Sequence, residues 1–253
     1  MTLAQSMTSA GPGDLALRAL SPSQLAFLER LPKAELHAHL NGSIPLPLLQ
    51  ELAREYMSSP VLGDSAATPV AADVLAGVQR LQCGVTLNAI DDFFGLFPAI
   101  YALTTTPASL KRATRGVLSH FLDPPPASAS ASASATAPQA NGTSIYGGGH
   151  AAVTYIELRT TPRETPYMSR RVYLETVLDE VEARAPDAAA LIVSLDRRMT
   201  PDVAREVLEL AAQLRREGRR VVGVDLCGDP MVRLIFRKVT LVAGNQSSVV
   251  EKT

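Results

Sequence analysis

The sequence predicts an α/β fold in which helices pack outside a parallel sheet, and three observations carry that prediction. Strand-like and helix-like segments alternate from residue 34 to residue 226. The helix starts are marked by Ser or Thr, three of them followed by Pro at the first helical position. The runs Leu191–Leu195 and Val221–Leu226 are wholly or largely apolar, as strands buried on both faces are.

Residues 1–20 read as a loose, disordered tail, small, polar and punctuated by Gly and Pro. Ser21-Pro22-Ser23-Gln24 has the form of a capping box and predicts a helix over 22–30, stopped before Pro32. Ala34 to Leu40 reads as a strand. Leu48, Leu49, Leu52 and Tyr56 recur at helical spacing and predict a helix over 46–57. Two further helices are expected at 86–103, with a broad face of Leu87, Ile90, Phe93, Phe94, Phe97, Ile100 and Tyr101, and at 107–122, started by Thr106-Pro107. Residues 123–150 then alternate Ala and Ser and close on three glycines. Such a stretch has no large side chains to bury against the cost of ordering, and it reads as a disordered insertion.

The alternation resumes with a strand at Val153–Leu158, a helix at 169–184 capped by Ser169, and a strand at Leu191–Leu195. A helix follows from Thr200-Pro201 to a C′ glycine, Gly218, and then a strand at Val221–Leu226. From Met231 to Thr253 the pattern is lost and the segment reads as irregular, with one further strand expected near Val239–Ala243.

Composition narrows the function classes. Lys plus Arg is 24 against 25 for Asp plus Glu, a formal charge of −1, which offers no basic surface for nucleic acid or an anionic membrane. No apolar run is long enough to span a bilayer. Cys83 and Cys227 are too far apart in sequence to suggest a zinc finger or a secreted disulfide framework. The first thirty residues include Asp14 and Glu29 and lack an apolar signal core, so the expected location is cytoplasmic.

The segment that carries chemistry is Leu36-His37-Ala38-His39-Leu40-Asn41-Gly42-Ser43. Histidines at i and i+2 of a strand share a face, so their ring nitrogens can approach one ion. Two ordinary half-buried imidazoles are the alternative. The pair closes a strand before a Gly-containing turn, and in a parallel barrel the C-terminal ends of the strands are where function collects.

Residues 31–43, LPKAELHAHLNGS, resemble the opening of adenosine-deaminase-type amidohydrolases. Asn41, where adenosine deaminases proper usually carry Asp, points to the adenosine-deaminase-like branch, known as N6-methyl-AMP deaminase. Residues 155–163, YIELRTTPR, are similar to that branch's ELR(S/T)TPR segment. Asp196-Arg197-Arg198 resembles its VDRR segment, and residues 223–230, GVDLCGDP, its GxDLxGDP segment. The match runs from about residue 22 to residue 230, outside the insertion.

The resemblance implies a partial (β/α)8 barrel of the metallo-dependent hydrolase type, with about half of the eight strands present, as though truncated after the fourth. It implies a zinc ion held by His37 and His39, and a purine nucleotide or nucleoside contacted by His39, Asn41, Thr160, Thr161, Pro162, Arg163, Asp196 and Gly228. Arg163 is the implied partner of a 5′-phosphate, because guanidinium binds phosphate bidentately. The alternatives are a solvated Arg163 beside Glu164, an Asp196 paired with Arg197 or Arg198, and a Gly228 that serves only a tight turn. The implied reaction is zinc-assisted hydrolytic removal of a 6-methylamino or 6-amino group, N6-methyl-AMP to IMP or adenosine to inosine.

The family pattern continues beyond its GDP segment with a third zinc-binding His and a His–Glu pair for proton transfer. No His follows residue 150 here, and His120 and His150 lie outside any such motif. With no catalytic proton-transfer residue retained, the expectation is impaired turnover, or an inactive fragment that still binds nucleotide or a partner. Exposed strand edges would favour self-association.

Overall fold

The computed structural model describes residues 16, 18–58, 69–84, 90–124, 153–228, 240–243 and 246–249. Its centre is a four-stranded parallel sheet in the order β1-β2-β3-β4, formed by Ala34–His39, Tyr155–Thr160, Ala189–Asp196 and Val221–Cys227. The expected parallel α/β arrangement is therefore present, as four adjacent strands. Parallel neighbours need a crossover, and helices supply each one. The helices are α1 Pro22–Arg30, α2 Leu46–Met57, α3 Pro69–Cys83, α4 Ile90–Phe94, α5 Phe97–Leu103, α6 Pro107–Leu122, α7 Arg170–Glu182 and α8 Pro201–Arg216.

The capping signals act as read. The Ser21 hydroxyl accepts from the Gln24 amide and the Gln24 side chain accepts from the Ser21 amide, closing the box that starts α1. Thr106 and Ser109 do the same for α6, and Ser169 and Thr200 cap α7 and α8. Gly218 ends α8 at φ +85°, a left-handed conformation that favours glycine.

Three expectations need correction. The long helix expected over 86–103 is two short helices, α4 and α5, parted at Gly95-Leu96, with Pro98 in the first turn of α5. Helix α3 was not anticipated, although Val74, Val78 and Leu81 repeat at helical spacing and Val78 and Leu81 are buried. The second strand starts at Tyr155, two residues later than expected.

The strand expectations divide at β4. Seven of the eight β3 residues are buried, as a central strand requires. In β4 only Val221 is buried, and Val222, Val224 and Leu226 are exposed. Among the described residues β4 pairs only with β3, so its outer flank has no covering element. The strand expected near Val239–Ala243 appears as β5, Thr240–Ala243, in an antiparallel pair with β6, Gln246–Val249. Residues 125–150 of the expected insertion and most of the expected tails lie outside the described residues, while Asp123 belongs to the ordered end of α6 and pairs with Arg184 at 2.5 Å.

The two sheet faces differ in chemistry. On β2, Ile156, Leu158 and Thr160 are buried on the face that α6 and α7 cover, while Tyr155, Glu157 and Arg159 alternate onto the open face. The Glu180 carboxylate, 6% exposed, accepts from Arg115 Nε and Nη2 at 2.8 and 3.0 Å and fastens α7 to α6.

Helix α3 approaches α5 so closely at Gly77 that a Cβ there would sit 2.8 Å from Ala99 Cβ. Gly77→Ala gains helix propensity of about 1 kcal/mol. The overpacking costs about 1–3 kcal/mol because a backbone-anchored methyl cannot swing away. The expected net result is a lower melting temperature by calorimetry; a raised one would show that the helices separate freely.

Candidate metal and nucleotide site

The site lies at the C-terminal end of the sheet. Strand β1 ends at His39, and the chain turns through a short 3-10 segment, Leu40–Gly42. His39 pairs in register with Arg159 on the open face of β2. The rings of His37 and His39 lie together, 5.3 Å between centroids. The i, i+2 reading is therefore realised as two neighbouring imidazoles. His37 is exposed and His39 half-buried. Burial holds the His39 imidazole below its usual range, with the nearby charges of His37 and Arg159 acting in the same sense and Asp225 opposing them. His39 is thus neutral at pH 7, the form that ligates a metal.

Two residues beyond the pair, Asn41 is 8% exposed and its Oδ1 is a buried acceptor without a hydrogen-bond partner. An orphaned buried carbonyl oxygen on the segment that follows the histidines fits a site that a ligand completes. The donor set suits zinc in type, since neutral imidazoles take two corners of its tetrahedron. A catalytic zinc usually takes three protein ligands, and among the described residues no group of three or more His, Cys, Asp or Glu is placed to hold a metal. His120 is exposed on α6, edge-on to Phe121, and His150 lies outside the described residues.

The other candidate residues divide by face. Thr160 is 2% exposed, and its hydroxyl is 2.9 Å from the Tyr173 hydroxyl of α7, on the helix-covered face. The alternation of β2 sends its side chain away from the histidines. Thr161 turns the other way and meets the Cys227 thiol at 3.4 Å. Burial pushes that thiol up from its ordinary range, so it is protonated at neutral pH. Pro162 is buried.

Arg163 is built into the protein rather than solvated beside Glu164, which pairs with Arg170 instead. Its Nη1 donates to the Tyr101 carbonyl at 3.3 Å and its Nη2 to Thr104 Oγ1 at 2.8 Å. The guanidinium lies 4.2 Å from the Tyr101 ring centroid, a cation–π stack. Those two bonds leave further N–H groups on the same head, and its Nε is buried without a partner.

Asp196 closes β3 and pairs with Arg198. Its Oδ1 accepts from the Arg198 amide at 2.8 Å and from Nε at 2.9 Å, and its Oδ2 from Nη2 at 2.6 Å. The Arg198 hydrogen bonds hold its carboxyl below the usual carboxylate range. Gly228 sits against it at φ +101°, where a Cβ would lie 3.1 Å from Asp196 Oδ1 and 3.3 Å from the Arg197 nitrogen. The backbone conformation favours glycine, and the contact leaves little room for a side chain. Asp229 and Pro230 lie outside the described residues.

Sequence reading assigned no role to Tyr101, Glu35, Arg159 or Asp225, although the last three fall inside quoted motifs. Tyr101 became visible only when α5 folded against the loop after β2. The other three act through the backbone of β1, which no side-chain motif reports.

Comparison with known proteins follows this geometry. No family model matches the chain. The N6-mAMP deaminase of Arabidopsis thaliana is 32% identical over 235 residues, 82% of this chain and 55% of that protein. The human N6-methyl-AMP deaminase is 27% identical over 219 residues, 83% of this chain and 50% of that protein. An adenosine deaminase-like protein of Drosophila melanogaster is 30% identical over 209 residues, covering 81% and 50%. The chain therefore spans about half the length of these relatives. The apo structure of the Arabidopsis N6-methyl-AMP deaminase superposes with a TM-score of 0.55 over 83% of this chain and 52% of that one. Arabidopsis ADAL complexed with GMP superposes at 0.56, and its complex with IMP at 0.55, both at 32% identity.

Proposed function

Starting from a chain homologous to N6-methyl-AMP deaminases and adenosine deaminase-like proteins over most of its own length, we propose that it carries the β1–β4 part of a zinc-dependent deaminase site for 6-methylamino or 6-amino purine nucleotides. The observation that carries the reading is the His37–His39 pair, two adjacent imidazoles on the open face, followed two residues later by Asn41, whose buried Oδ1 has no partner. His37 and His39 would hold the metal. Bound zinc supplies water activated for attack at neutral pH.

The chain's own residues have separable tasks. His39 stays neutral and so keeps a ring lone pair for the metal. Asn41 Oδ1 offers an acceptor to a donor on the purine. The Arg163 head, fixed over Tyr101, presents its remaining N–H groups to a phosphate without having to be ordered on binding. Thr161 and Pro162 would line the pocket as the neighbours of Arg163 in sequence, and Gly228 keeps the β4 turn narrow against Asp196. The Arabidopsis relative's complexes with GMP and IMP support a nucleotide over a nucleoside.

The test is conversion of N6-methyl-AMP by the purified chain with added zinc, followed at the purine ultraviolet band, alongside IMP binding by calorimetry. Two imidazoles without a third ligand among the described residues predict IMP binding with slow turnover. Absence of both would overturn the reading. A second reading, a nucleotide-binding chain with no turnover, is favoured by that same two-ligand set, and it is the outcome if IMP binds and no product forms at any zinc concentration.

Arg163→Ala separates phosphate recognition from packing. The expected loss is about 10-fold or more for IMP, from a charge-assisted hydrogen bond of about 1.5–3 kcal/mol, with little change for inosine. Equal losses for both would assign Arg163 to packing on Tyr101 alone.

A further inference from the structure

The register of β1 contains a defect whose consequence is chemical. Ala34 and Glu35 pair with Tyr155 and Ile156, but Ala38 and His39 pair with Leu158 and Arg159. Three steps along β1 therefore match two along β2, a bulge with one extra residue between Glu35 and Ala38. Continued without it, the initial register would set His37 opposite Leu158 and His39 opposite Thr160. Both of those residues are buried on the helix-covered face. A one-residue slip exchanges the faces of every following side chain. The bulge is thus what turns the histidine pair onto the open face.

A bulge frees backbone groups from the ladder, and here two of the groups at the bulge are met by side chains. The His37 amide donates to Glu35 Oε1 at 2.7 Å. The Leu36 carbonyl accepts from Arg159 Nη2 at 2.9 Å and from Nε at 3.3 Å. Arg159 is in turn held by Asp225, reached across β3, and both side chains of that pair are less than one-fifth exposed. One guanidinium therefore ties β4 to the β1 bulge.

We infer that Glu35 and Arg159, the latter anchored by Asp225, are positioning residues that hold the β1 bulge and thereby set His37 and His39 on the metal-binding face. This rests on the proposed zinc site. Their hydrogen bonds go to the β1 backbone that aims the ligands. Partners of this kind, one bond removed from the ligands, typically change metal affinity by about 10–100-fold.

The experiment measures zinc affinity of the full chain by competition with a chromophoric chelator, with thermal melting as a fold control. Glu35→Ala and Arg159→Met are each expected to weaken zinc about 10–100-fold while melting cooperatively. Glu35→Gln keeps an acceptor oxygen for the His37 amide and is expected to retain most of the affinity. Arg159→Lys cannot bridge Leu36 and Asp225 together and is expected not to rescue. Unchanged zinc affinity in both Glu35→Ala and Arg159→Met, or equal losses in Glu35→Ala and Glu35→Gln, would overturn the assignment. Should Arg159→Met fail to fold, the two Glu35 variants decide it. A wild-type chain that takes no zinc, or a His37→Ala/His39→Ala chain that binds as well as wild type, would instead overturn the underlying site and with it any positioning role.

Discussion

Replacing both His37 and His39 by Ala is expected to abolish stoichiometric zinc uptake and to leave the fold nearly unchanged. The basis is exposure and neighbourhood. His37 is exposed and His39 only half-buried, so neither anchors the core. The paired rings are the one arrangement among the described residues that offers two adjacent imidazoles to a cation. Each single replacement leaves one imidazole and is expected to reduce affinity by at least 100-fold, since a lone exposed histidine is a poor zinc site. Acidification should act in the same direction. His39 must be neutral to ligate and its pKa lies below the ordinary histidine range. Its share of the affinity is therefore lost at a lower pH than that of an ordinary histidine. Equilibrium dialysis with metal analysis across pH checks both statements. A double variant that still takes up one zinc per chain would place the metal elsewhere.

Leu191→Ala is the largest expected effect on stability. Leu191 is fully buried in β3, a strand with neighbours on both sides, and its register partners are Leu158 and Val221. Strands hydrogen-bonded on both edges cannot shift to fill a void, so the loss should fall in the range of about 2–5 kcal/mol for a buried Leu truncation. Since native stabilities are only about 5–15 kcal/mol, much of the fold's margin would go. The contrast is Leu226→Ala on β4, exposed on the outer flank and expected to change stability by less than about 0.5 kcal/mol. Urea unfolding of the two variants checks this. Equal losses would mean that β4 is covered in solution.

The sequence was most legible where physical rules are local. Caps, prolines and apolar spacing located α1, α2, α6, α7 and α8 to within a residue or two. The largely apolar segment around Leu191 located β3. The break between α4 and α5 also has local marks, Gly95 and Pro98, outweighed in the reading by the broad apolar face. The exposure of β4 depends on what lies beside it, which is not written in the local pattern.

The site divides the same way. Two histidines separated by one residue imply a shared face for any strand. Which face they share depends on one extra residue in the register of β1, fixed by Glu35 and by Arg159 from more than a hundred residues away. Motif letters flagged Thr160 as readily as Thr161, yet alternation puts the first under Tyr173 and the second beside Cys227. A motif names residues that recur together. It does not say which of them a ligand can reach.

The most direct measurement is an anomalous-difference map at the zinc edge from crystals of the full chain grown with zinc. The account predicts one peak between the two rings, about 2.0–2.1 Å from a nitrogen of His37 and of His39. Zinc bound without either imidazole, or a β1 register that turns His39 toward the Thr160 face, would contradict it.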